Sequence, residues 1–512
     1  MSTLSLTSAE NHLASLVTSS GEAGEIEVRS PFDDSVVGAL PVSSEEDVTH
    51  AFASAAAVQK DWAERPVKER TAVIARFRDL LLKERDALVD CVQAETGKAR
   101  ASAFEEVADA SLWSSYNARH ASGLLREKRR QGTFPLLTKT RERHVPKGVV
   151  GVITPWNYPL TLPASDVLPA LVTGNAVVLK PDSQTPHTAL MVLDLLLRAG
   201  LPRDVLQIVL GPGPEVGGAL VAYADYIMFT GSTATGRVVA AQCAERLIGC
   251  SAELGGKNAM LVLEDADVAK AAVGAVRGCF ANSGQLCVSI ERIYVHDAVW
   301  DEFVSAFGER VRQMRLEPGF EWEADMGSLI SARQLDAVAA HVDDAVAKGA
   351  TVLTGGNRRA DLGPYFYEPT VLLGVTDSME LARKETFGPV VSLYRVSSDD
   401  EGVRLANDSE YGLSASVWSK RNGPRVARKV EAGTVNVNES YAATWSSHGA
   451  PMGGMKSSGL GRRHGAQGIL KYTEPQTIAA QRLLPIAGPA DLKKETWAKA
   501  LSAGTRLLNL YR

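Results

Sequence analysis

One cysteine has a sequence context that suits a reactive thiol. Cys287 lies in the loop FANSGQLCVSI at 280–290, which contains Gly284. Before this loop, apolar residues recur at helical spacing behind a candidate N-cap, and Gly284 can end the helix by taking a positive φ. After it, residues 292–296 predict a strand. A thiol between two rigid elements keeps its position while its sulfur stays accessible, so we predict that Cys287 is a nucleophile.

Each of these residue types also has a structural interpretation. A lone cysteine is often a small buried hydrophobe, which is our prediction for Cys279 on the apolar helix face. Glu253 ends an apolar run just before two glycines, where a carboxylate can face a cleft and act as a general base. An isolated carboxylate can also be a salt-bridged or capping group. Lys180 ends another apolar run and is a candidate phosphate or ribose contact, although most lysines are solvated.

The elements that must position these residues begin with five short apolar runs. They are 149–154, 176–180, 205–209, 226–230 and 246–254. Their hydrophobicity is continuous rather than alternating, which is typical of strands covered on both faces in a parallel α/β sheet. In such a doubly wound sheet, ligands bind beyond the carboxyl ends of the strands.

A glycine-rich turn, GSTATG at 231–236, follows the fourth run and leads into a predicted helix. Free N–H groups and the dipole at such a helix N-terminus suit a phosphate. The motif is GxxxxG rather than the GxGxxG fingerprint, so a plain structural turn is the alternative.

Composition limits the classes of function. The 512 residues are 45% hydrophobic and 22% charged, which is typical of a globular protein of two or three domains. The net charge of −5 is spread without long blocks, so we expect no nucleic-acid partner. Five cysteines, an odd number, predict reduced thiols and a cytoplasmic location. We expect no export signal, no stable membrane insertion and no metal site.

Residues 44–130 predict helices with short breaks, and Ser43 with Glu46 is a candidate capping box at the first of them. Residues 128–147 alternate polar and basic residues with apolar ones. This pattern predicts an exposed arm or edge strand, with an oligomer contact as a further interpretation.

Seven motifs together resemble the aldehyde dehydrogenase superfamily, in order and at its spacing, from about residue 25 to 480. They are PWNYP, KPDSQTP, FTGSTATG, ELGGKN, the NSGQLC loop, ETFGPV and PMGGMKSSGLGRRHG. The resemblance implies an α/β fold with two doubly wound Rossmann-type domains and a small β oligomerisation arm. The implied parts are a cofactor-binding domain (1–128 and 148–254), a catalytic domain (255–468), the arm (129–147 and 469–488) and a helical tail (489–512).

The second domain also predicts α/β structure from its own pattern, with strands at 259–262, 390–395, 414–418 and 434–437. In the tail, Trp497, Leu501 and Leu508 form one apolar stripe beside basic residues. This pattern predicts docking on another subunit or on a membrane surface.

The resemblance implies roles for individual residues. Cys287 adds to an aldehyde to give a thiohemiacetal and then a thioester. The Asn157 amide and the Cys287 N–H stabilise the oxyanion, and Glu253 is the base for hydrolysis. The implied cofactor contacts are Thr154, Pro155, Trp156, Lys180, Ser183, Gly213, Thr230, Gly231, Ser232, Leu254, Glu385 and Phe387. The implied substrate contacts are Ser447, Tyr116 and Trp445.

Ser183 bears on the choice of cofactor. Relatives that prefer NAD commonly carry Glu at this position, which accepts hydrogen bonds from the ribose and repels a 2′-phosphate. Ser183 removes that charge and Lys180 can supply a cation, so we predict that NADP is preferred and that NAD is possible. Asp182 is the counter-argument, since its carboxylate could approach the same phosphate.

The motifs most resemble the succinate-semialdehyde branch, and Ser447 matches a serine near the substrate carboxylate. Two arginines that often hold that carboxylate are replaced here by Ser165 and Ala281. A buried carboxylate needs another cation, for which the candidates are Arg119, His448 and Arg292. A tunnel of aromatic residues would instead suit an aliphatic or aromatic aldehyde; they are Trp113, Tyr116, Tyr441 and Trp445.

Two other classes remain: a coenzyme-A-acylating enzyme and a non-catalytic structural protein. Glu253 argues against the first, because a thiol rather than activated water would release the acyl group. The combination of Cys287, Glu253, Asn157 and Glu385 argues against the second. The resemblance implies a homodimer or homotetramer.

Overall fold

The computed structural model describes residues 11–132 and 137–510, with the backbone alone for 507–510. Its strands are β1 Glu25–Arg29, β2 Val36–Pro41, β3 Lys128–Arg130, β4 Thr138–Pro146, β5 Val149–Ile153, β6 Ala176–Lys180, β7 Leu206–Ile208, β8 Tyr226–Thr230, β9 Gly249–Glu253, β10 Asn258–Val262, β11 Ile290–His296, β12 Thr351–Thr354, β13 Thr370–Leu373, β14 Val390–Val396, β15 Tyr411–Gly412, β16 Ser414–Trp418, β17 Thr434–Val437, β18 Met455–Lys456, β19 Gly459–Leu460 and β20 Thr473–Gln481. Its helices are α1 Glu45–Glu64, α2 Val67–Lys83, α3 Arg85–Thr96, α4 Arg100–Leu124, α5 Thr161–Val172, α6 Pro186–Arg198, α7 Gly218–Tyr223, α8 Thr233–Glu245, α9 Val268–Phe280, α10 Trp300–Arg312, α11 Ala332–Ala347, α12 Glu380–Arg383, α13 Asp399–Asn407, α14 Gly423–Ala427, α15 Ala442–Trp445, α16 Gly465–Leu470 and α17 Lys494–Leu510.

The first sheet has six strands in the order β19-β9-β8-β5-β6-β7. Strands β5 to β9 pair in parallel and β19 is antiparallel to β9. The five apolar runs therefore form the predicted parallel strands. The last strand begins at Gly249 rather than at 246, because Arg246 to Ile248 finish the turn of α8, with Leu247 at a φ of 57°.

Helices α2 to α4 lie on one face of this sheet, while most buried side chains of α1, such as Val48 and Phe52, pack with Val178 on the other face. Trp62, Phe77 and Trp113 are buried in one cluster with Val150 and Leu179. Continuous burial on both faces explains why the strands lack hydrophobic alternation.

The capping box predicted for α1 is displaced by one residue. Ser44 Oγ accepts the Asp47 N–H at 3.1 Å, and the Asp47 carboxylate accepts the Ser44 N–H at 2.8 Å. Ser43 is still in extended backbone, where its hydroxyl donates to the Thr18 carbonyl. The prediction of Ser43 with Glu46 was wrong, because Ser43 is engaged in tertiary contacts before the helix begins.

The second sheet has seven strands in the order β12-β13-β14-β11-β10-β16-β17. All neighbours are parallel except β12 and β13. The four strands predicted for this region are confirmed as β10, β14, β16 and β17. Together with the first sheet they confirm the α/β class. The domain limits stay a prediction; the first sheet's last parallel strand ends at Glu253 and the second sheet's first begins at Asn258.

An antiparallel sheet of three strands, β20-β4-β3, forms a separate arm. Every residue of β20 after Thr473 is exposed. The predicted arm therefore exists in the described part, while residues 133–136 of it lie outside the described residues.

The predicted tail helix is α17. Trp497 Nε1 donates to the Ile486 carbonyl at 2.8 Å, which ties the helix to the segment after β20. The Leu508 side chain of the predicted stripe lies outside the described residues. Among the helices described, none is long and apolar enough to cross a membrane.

Candidate active site

The carboxyl ends of the first sheet bring several predicted residues to one edge. Lys180 ends β6, Thr230 ends β8 and Glu253 ends β9, while Thr154 follows β5. These strands are parallel neighbours, so their ends lie side by side. This is the edge where open α/β sheets bind ligands.

The Cys287 loop reaches this edge from the second sheet. After α9, Asn282, Ser283 and Gly284 have φ values of 52°, 55° and 71°. A side chain at Gly284 would clash with the Gly388 carbonyl oxygen, so the loop fits closely against the neighbouring segment. This left-handed turn and the start of β11 hold Cys287 from both sides.

The surroundings of Cys287 are apolar. Its half-buried side chain packs with a cluster that contains Tyr158, Leu286 and Met452. Burial raises the pKa of the Cys287 thiol to about 12, and the nearby Arg463 opposes this rise. The resting group is therefore a thiol that needs a base or a further charge to become a nucleophile.

Glu253 is buried, with 6% of its surface exposed. Its Oε1 has no hydrogen-bond partner in the described part of the chain. Burial raises the pKa of Glu253 to about 7, and Arg463 and Lys471 oppose the rise. A carboxylate that titrates near neutral pH is suited to general base chemistry.

Asn157 is held through its backbone. Its carbonyl accepts Lys98 Nζ at 2.7 Å, and Lys98 also pairs with Glu106 at 2.6 Å. Both partners are completely buried. Glu106 in turn accepts the N–H of Leu160, at the start of α5. Sequence reasoning missed this pair, because no local pattern distinguishes Lys98 from a surface lysine.

The Asn157 side chain donates one N–H to the Gln285 carbonyl at 3.0 Å. An amide nitrogen carries two N–H groups, so the other is left for a ligand oxygen.

Several residues predicted to hold a dinucleotide offer hydrogen-bonding groups at the start of α8 and at the end of β5. Helix α8 starts at Thr233, where Ser232 Oγ caps the Thr235 N–H and the first amides stay available to a phosphate. Within the described chain, the buried hydroxyls of Thr154 and Thr233 lack partners. These groups fit a ligand that carries phosphate and hydroxyl oxygens.

The predicted Glu385 and Phe387 lie on the opposite wall. Glu385 Oε1 accepts the Gly256 N–H at 2.8 Å, and burial raises the pKa of this carboxyl to about 8. The Phe387 ring meets the edge of Trp156 with 5.5 Å between centroids. Leu254 packs against Gly236 at the start of α8, and Gly213 begins the helical turn Gly213–Gly217.

Glu291 shapes this wall and was not predicted. Its carboxylate accepts the N–H groups of Thr386 and Phe387, each at 3.0 Å, and forms a buried ion pair with Lys257. It thereby fixes Phe387 at a φ of 53°. The sequence carries no signal for it, since Lys257 is 34 residues away and Thr386 and Phe387 are 95 and 96 residues away.

The loop after β6 shows where the charges near Lys180 point. Asp182 Oδ1 accepts the Gln184 N–H at 2.9 Å, and Ser183 Oγ donates to the Gly211 carbonyl at 3.1 Å. Lys180 is buried and bonds only weakly, to the Pro181 carbonyl at 3.4 Å. One oxygen of Asp182 is thus bonded within its own loop, while its charge still opposes the burial-driven fall in the pKa of Lys180.

Comparison with known proteins now decides the family. The sequence pattern of the aldehyde dehydrogenase family matches residues 17–478. The chain belongs to the aldehyde dehydrogenase family.

Relatives agree with this assignment. A Mycolicibacterium smegmatis protein named "Putative succinate-semialdehyde dehydrogenase, NADP(+)" is 59% identical over 465 residues, which are 90% of each chain. The mitochondrial succinate-semialdehyde dehydrogenase of Arabidopsis thaliana is 37% identical over 88% of this chain and 85% of its own. The NAD+ complex of a Bacillus cereus aldehyde dehydrogenase superposes with a TM-score of 0.86 at 34% identity, covering 90% of this chain and 94% of that one.

A cavity of about 130 Å³ opens beside the Cys287 cluster of this aldehyde dehydrogenase. Its walls include Tyr158, Leu286, Tyr441 and Trp445, of which Trp445 was predicted as a substrate contact. The wall is mainly apolar and aromatic, with charged groups at a few points.

The other predicted substrate residues have different surroundings. Ser447 is exposed and its hydroxyl donates to the Ala443 carbonyl at 2.6 Å. Tyr116 stacks on Trp113 with 5.3 Å between centroids.

The three candidate cations have different environments. Arg292 donates to the carbonyls of Lys257, Leu405 and Ala406. Arg119 is exposed, and His448 pairs with Asp109 at 3.0 Å.

Arg277 is a cation on the cavity wall that sequence reasoning did not consider. It lies on α9, one helical turn before Ala281, and lines the cavity. Its guanidinium binds Glu105 at 2.9 Å and lies over the Tyr441 ring at 5.3 Å. Arg277 is four residues before position 281, where an arginine was expected. Residues four apart in a helix share a face, so this spacing could have identified it.

Proposed function

We propose that this enzyme oxidises an aldehyde to its carboxylic acid with Cys287 as nucleophile and Glu253 as general base, using NADP in preference to NAD. The observation that carries the proposal is Glu253: a buried carboxylate with a pKa of about 7 at the sheet edge that also receives the Cys287 loop. A purely structural carboxylate at such a position would be expected to have its oxygens paired.

The residues support the following sequence. Glu253 first takes the proton of the Cys287 thiol and passes it to solvent. The thiolate then adds to the carbonyl carbon and forms a C–S bond, while the C=O electron pair moves to the oxygen, which takes the negative charge. The free Asn157 N–H and the Cys287 N–H donate to that oxyanion. A nicotinamide held between Glu385, Phe387 and Trp156 would supply the hydride acceptor, and loss of hydride from the former aldehyde carbon would leave a thioester on Cys287. Glu253 then takes a proton from the attacking water, and the C–S bond breaks to return the thiolate.

Preference for NADP is supported by the loop after β6. Ser183 offers a hydroxyl where a carboxylate would repel a 2′-phosphate, and Lys180 lacks a strong partner. Asp182, the counter-argument from the sequence, is engaged by the Gln184 N–H. A relative of this chain at 59% identity is named for NADP(+).

For the substrate we propose succinate semialdehyde. The names of the relatives support it, and Arg277 supplies a cation on the cavity wall in place of the arginines absent at 165 and 281. Only one Arg277 nitrogen donates to Glu105, so further N–H groups remain for a substrate carboxylate.

The test compares kcat/KM for succinate semialdehyde with that for hexanal and benzaldehyde, with either cofactor, by the absorbance of the reduced nicotinamide. Arg277→Met should lower kcat/KM for the semialdehyde by about 10- to 100-fold, as expected for a lost charge-assisted hydrogen bond of about 1.5–3 kcal/mol. The same variant should leave hexanal nearly unaffected, and Arg277→Lys should lose less than the Met variant.

Oxidation of uncharged aldehydes is the second candidate, and the apolar wall formed by Tyr158, Leu286, Tyr441 and Trp445 favours it. Glu105 and Asp109 on the same wall add negative charge, which opposes a carboxylate. If the uncharged aldehydes are better by more than about tenfold, or roughly 1.4 kcal/mol, succinate semialdehyde is not the substrate.

We further propose a cytoplasmic homodimer or homotetramer assembled through the arm. All five cysteines are unpaired, which suits a reducing compartment. The exposed β20 and the apolar Leu483, Leu484 and Ile486 after it form a surface that a second copy can cover. Light scattering of the purified enzyme should give a mass of two or four chains, and a monomer would contradict this.

A further inference from the structure

A buried ion pair lies next to both proposed reactive groups. Arg463 Nη2 donates to Asp166 Oδ2 at 2.7 Å and to Thr230 Oγ1 at 3.0 Å, and its Nε donates to Asp166 Oδ1 at 3.3 Å. Arg463 is 3% exposed and Asp166 is completely buried. Such a pair is costly to desolvate and often contributes little net stability.

The backbone fixes Arg463 beside Glu253. Thr230, its hydrogen-bond partner, is directly opposite Glu253 in the register of β8 and β9. Met452 and Arg463 exchange two backbone hydrogen bonds of 2.7 and 2.6 Å. Gly453, which follows Met452 in the chain, lies so close to the Glu253 carboxylate that an added Cβ would be 3.0 Å from Oε1.

The backbone pairing of Met452 with Arg463 also connects the Arg463 segment to the surroundings of Cys287. Met452 is a buried member of the apolar cluster into which Cys287 packs. The backbone pairing thus joins the segment that carries Arg463 to the cluster that contains Cys287, while the guanidinium itself bonds to Asp166 and Thr230 near the end of β9.

We propose that Arg463 is a positioning residue that favours the thiolate of Cys287 and the carboxylate of Glu253, and that Asp166 limits this effect by partly neutralising it. The proposal rests on the functions proposed above for Cys287 and Glu253. A cation in a water-poor site favours nearby anions, and an anion paired with it weakens that influence. In agreement, Arg463 opposes the burial-driven rise in the pKa of Cys287 and of Glu253, while Asp166 adds to the rise for Glu253.

Other ionisable groups face the pair from the elements packed around it. They are Lys471, Tyr472, Tyr226, Arg462, His464 and Glu385. Lys471 is a second cation, 3.8 Å from Asp166, and burial lowers its pKa to about 8. Measurements below about pH 7 therefore keep Lys471 charged and isolate the contribution of Arg463.

The test measures alkylation of Cys287 by iodoacetamide against pH, with the labelled peptide quantified by mass spectrometry. It needs neither aldehyde nor cofactor. Arg463→Gln should slow alkylation about tenfold, because a rise of about one unit in the pKa of the Cys287 thiol lowers the thiolate fraction tenfold. Asp166→Asn should accelerate alkylation severalfold. The double variant should return close to the wild-type rate. Arg70→Gln is the matched control, since this arginine is also buried but donates to the carbonyls of Ala63 and Val172, and its loss should change the rate by less than about twofold.

Opposite signs for the two single variants distinguish tuning from a structural role. If the ion pair only supports the fold, both single variants change the rate in the same direction and lower the melting temperature, and the proposal is wrong. The acid limb of kcat against pH gives a second readout, which should move up in Arg463→Gln and down in Asp166→Asn. If Cys287 of the wild type stays unlabelled even at high pH, where the thiol ionises, the proposed function and this inference both fail. If it reacts and the variants match the wild type, only this inference fails.

Discussion

The Glu253→Gln variant tests two properties of the buried carboxylate: that it acts as a general base, and that its ionised form lowers the stability of the folded protein. In the folded protein burial raises the pKa of Glu253 from 4.5 to about 7. The fold thus prefers the protonated form, so its contribution to stability is complete below pH 4.5 and is lost as pH rises through 7. At about 1.4 kcal/mol per pH unit, the ionised carboxylate destabilises the wild type by about 3 kcal/mol at pH 8 and by under about 1 kcal/mol at pH 5.

Gln cannot ionise, so the variant should gain about 2 kcal/mol more stability relative to wild type at pH 8 than at pH 5. Urea unfolding at both pH values, at one protein concentration, measures this difference. Any offset from burying the Gln amide is independent of pH and cancels. The matched control is Glu69→Gln, an exposed glutamate in the first turn of α2. A gain that is equal at the two pH values would refute the reasoning from burial.

The same variant has a kinetic signature. It should still form the thioester and release one equivalent of reduced cofactor in a burst. Steady-state turnover should then fall about 10²- to 10⁴-fold, the range typical of a general base. An unchanged steady-state rate would remove Glu253 from that role, whatever the unfolding data show.

Three further predictions follow from the site. Cys287→Ala should abolish turnover and keep cofactor binding, whereas Cys279→Ala, a change in the core, should keep normal kcat; near-normal oxidation by the first would contradict the mechanism. Ser183→Glu should lower kcat/KM for NADP at least about tenfold relative to NAD, because a carboxylate repels the 2′-phosphate; an unchanged ratio would place the phosphate elsewhere. Lys98→Met should cost about 3–5 kcal/mol of stability, because it leaves the Glu106 charge buried without its partner; a melting temperature within a degree of wild type would contradict this.

The elements that carry the site could be predicted from the sequence because their signals are local. Strands β5, β6 and β8 are continuous apolar runs, and Lys180 and Thr230 are at their carboxyl ends. The Cys287 loop follows a helix whose apolar repeat is unbroken. Each of these signals needs only neighbours within about ten residues, so no tertiary information is required.

The buried charges could not be predicted in the same way. Lys98 lies between α3 and α4 and is eight residues from Glu106, so in the sequence each looks like an ordinary surface charge, and only the fold places the lysine against the Asn157 carbonyl. Asp166 and Arg463 are 297 residues apart. A charged residue in a sequence predicts exposure until its partner is known.

The same lack of tertiary information explains why the candidates for binding a substrate carboxylate were Arg119, His448 and Arg292. Arg277, only four residues before Ala281, was not considered. The sequence places Ala281 where an arginine was expected, and only the structure shows that α9 is regular through Phe280 and turns Arg277 onto the same cavity. A cation displaced by one turn can reach the same volume because its side chain is long and its guanidinium extends well beyond the helix surface. Substrate charge is therefore better inferred from the helix faces that line a cavity than from residues at fixed positions.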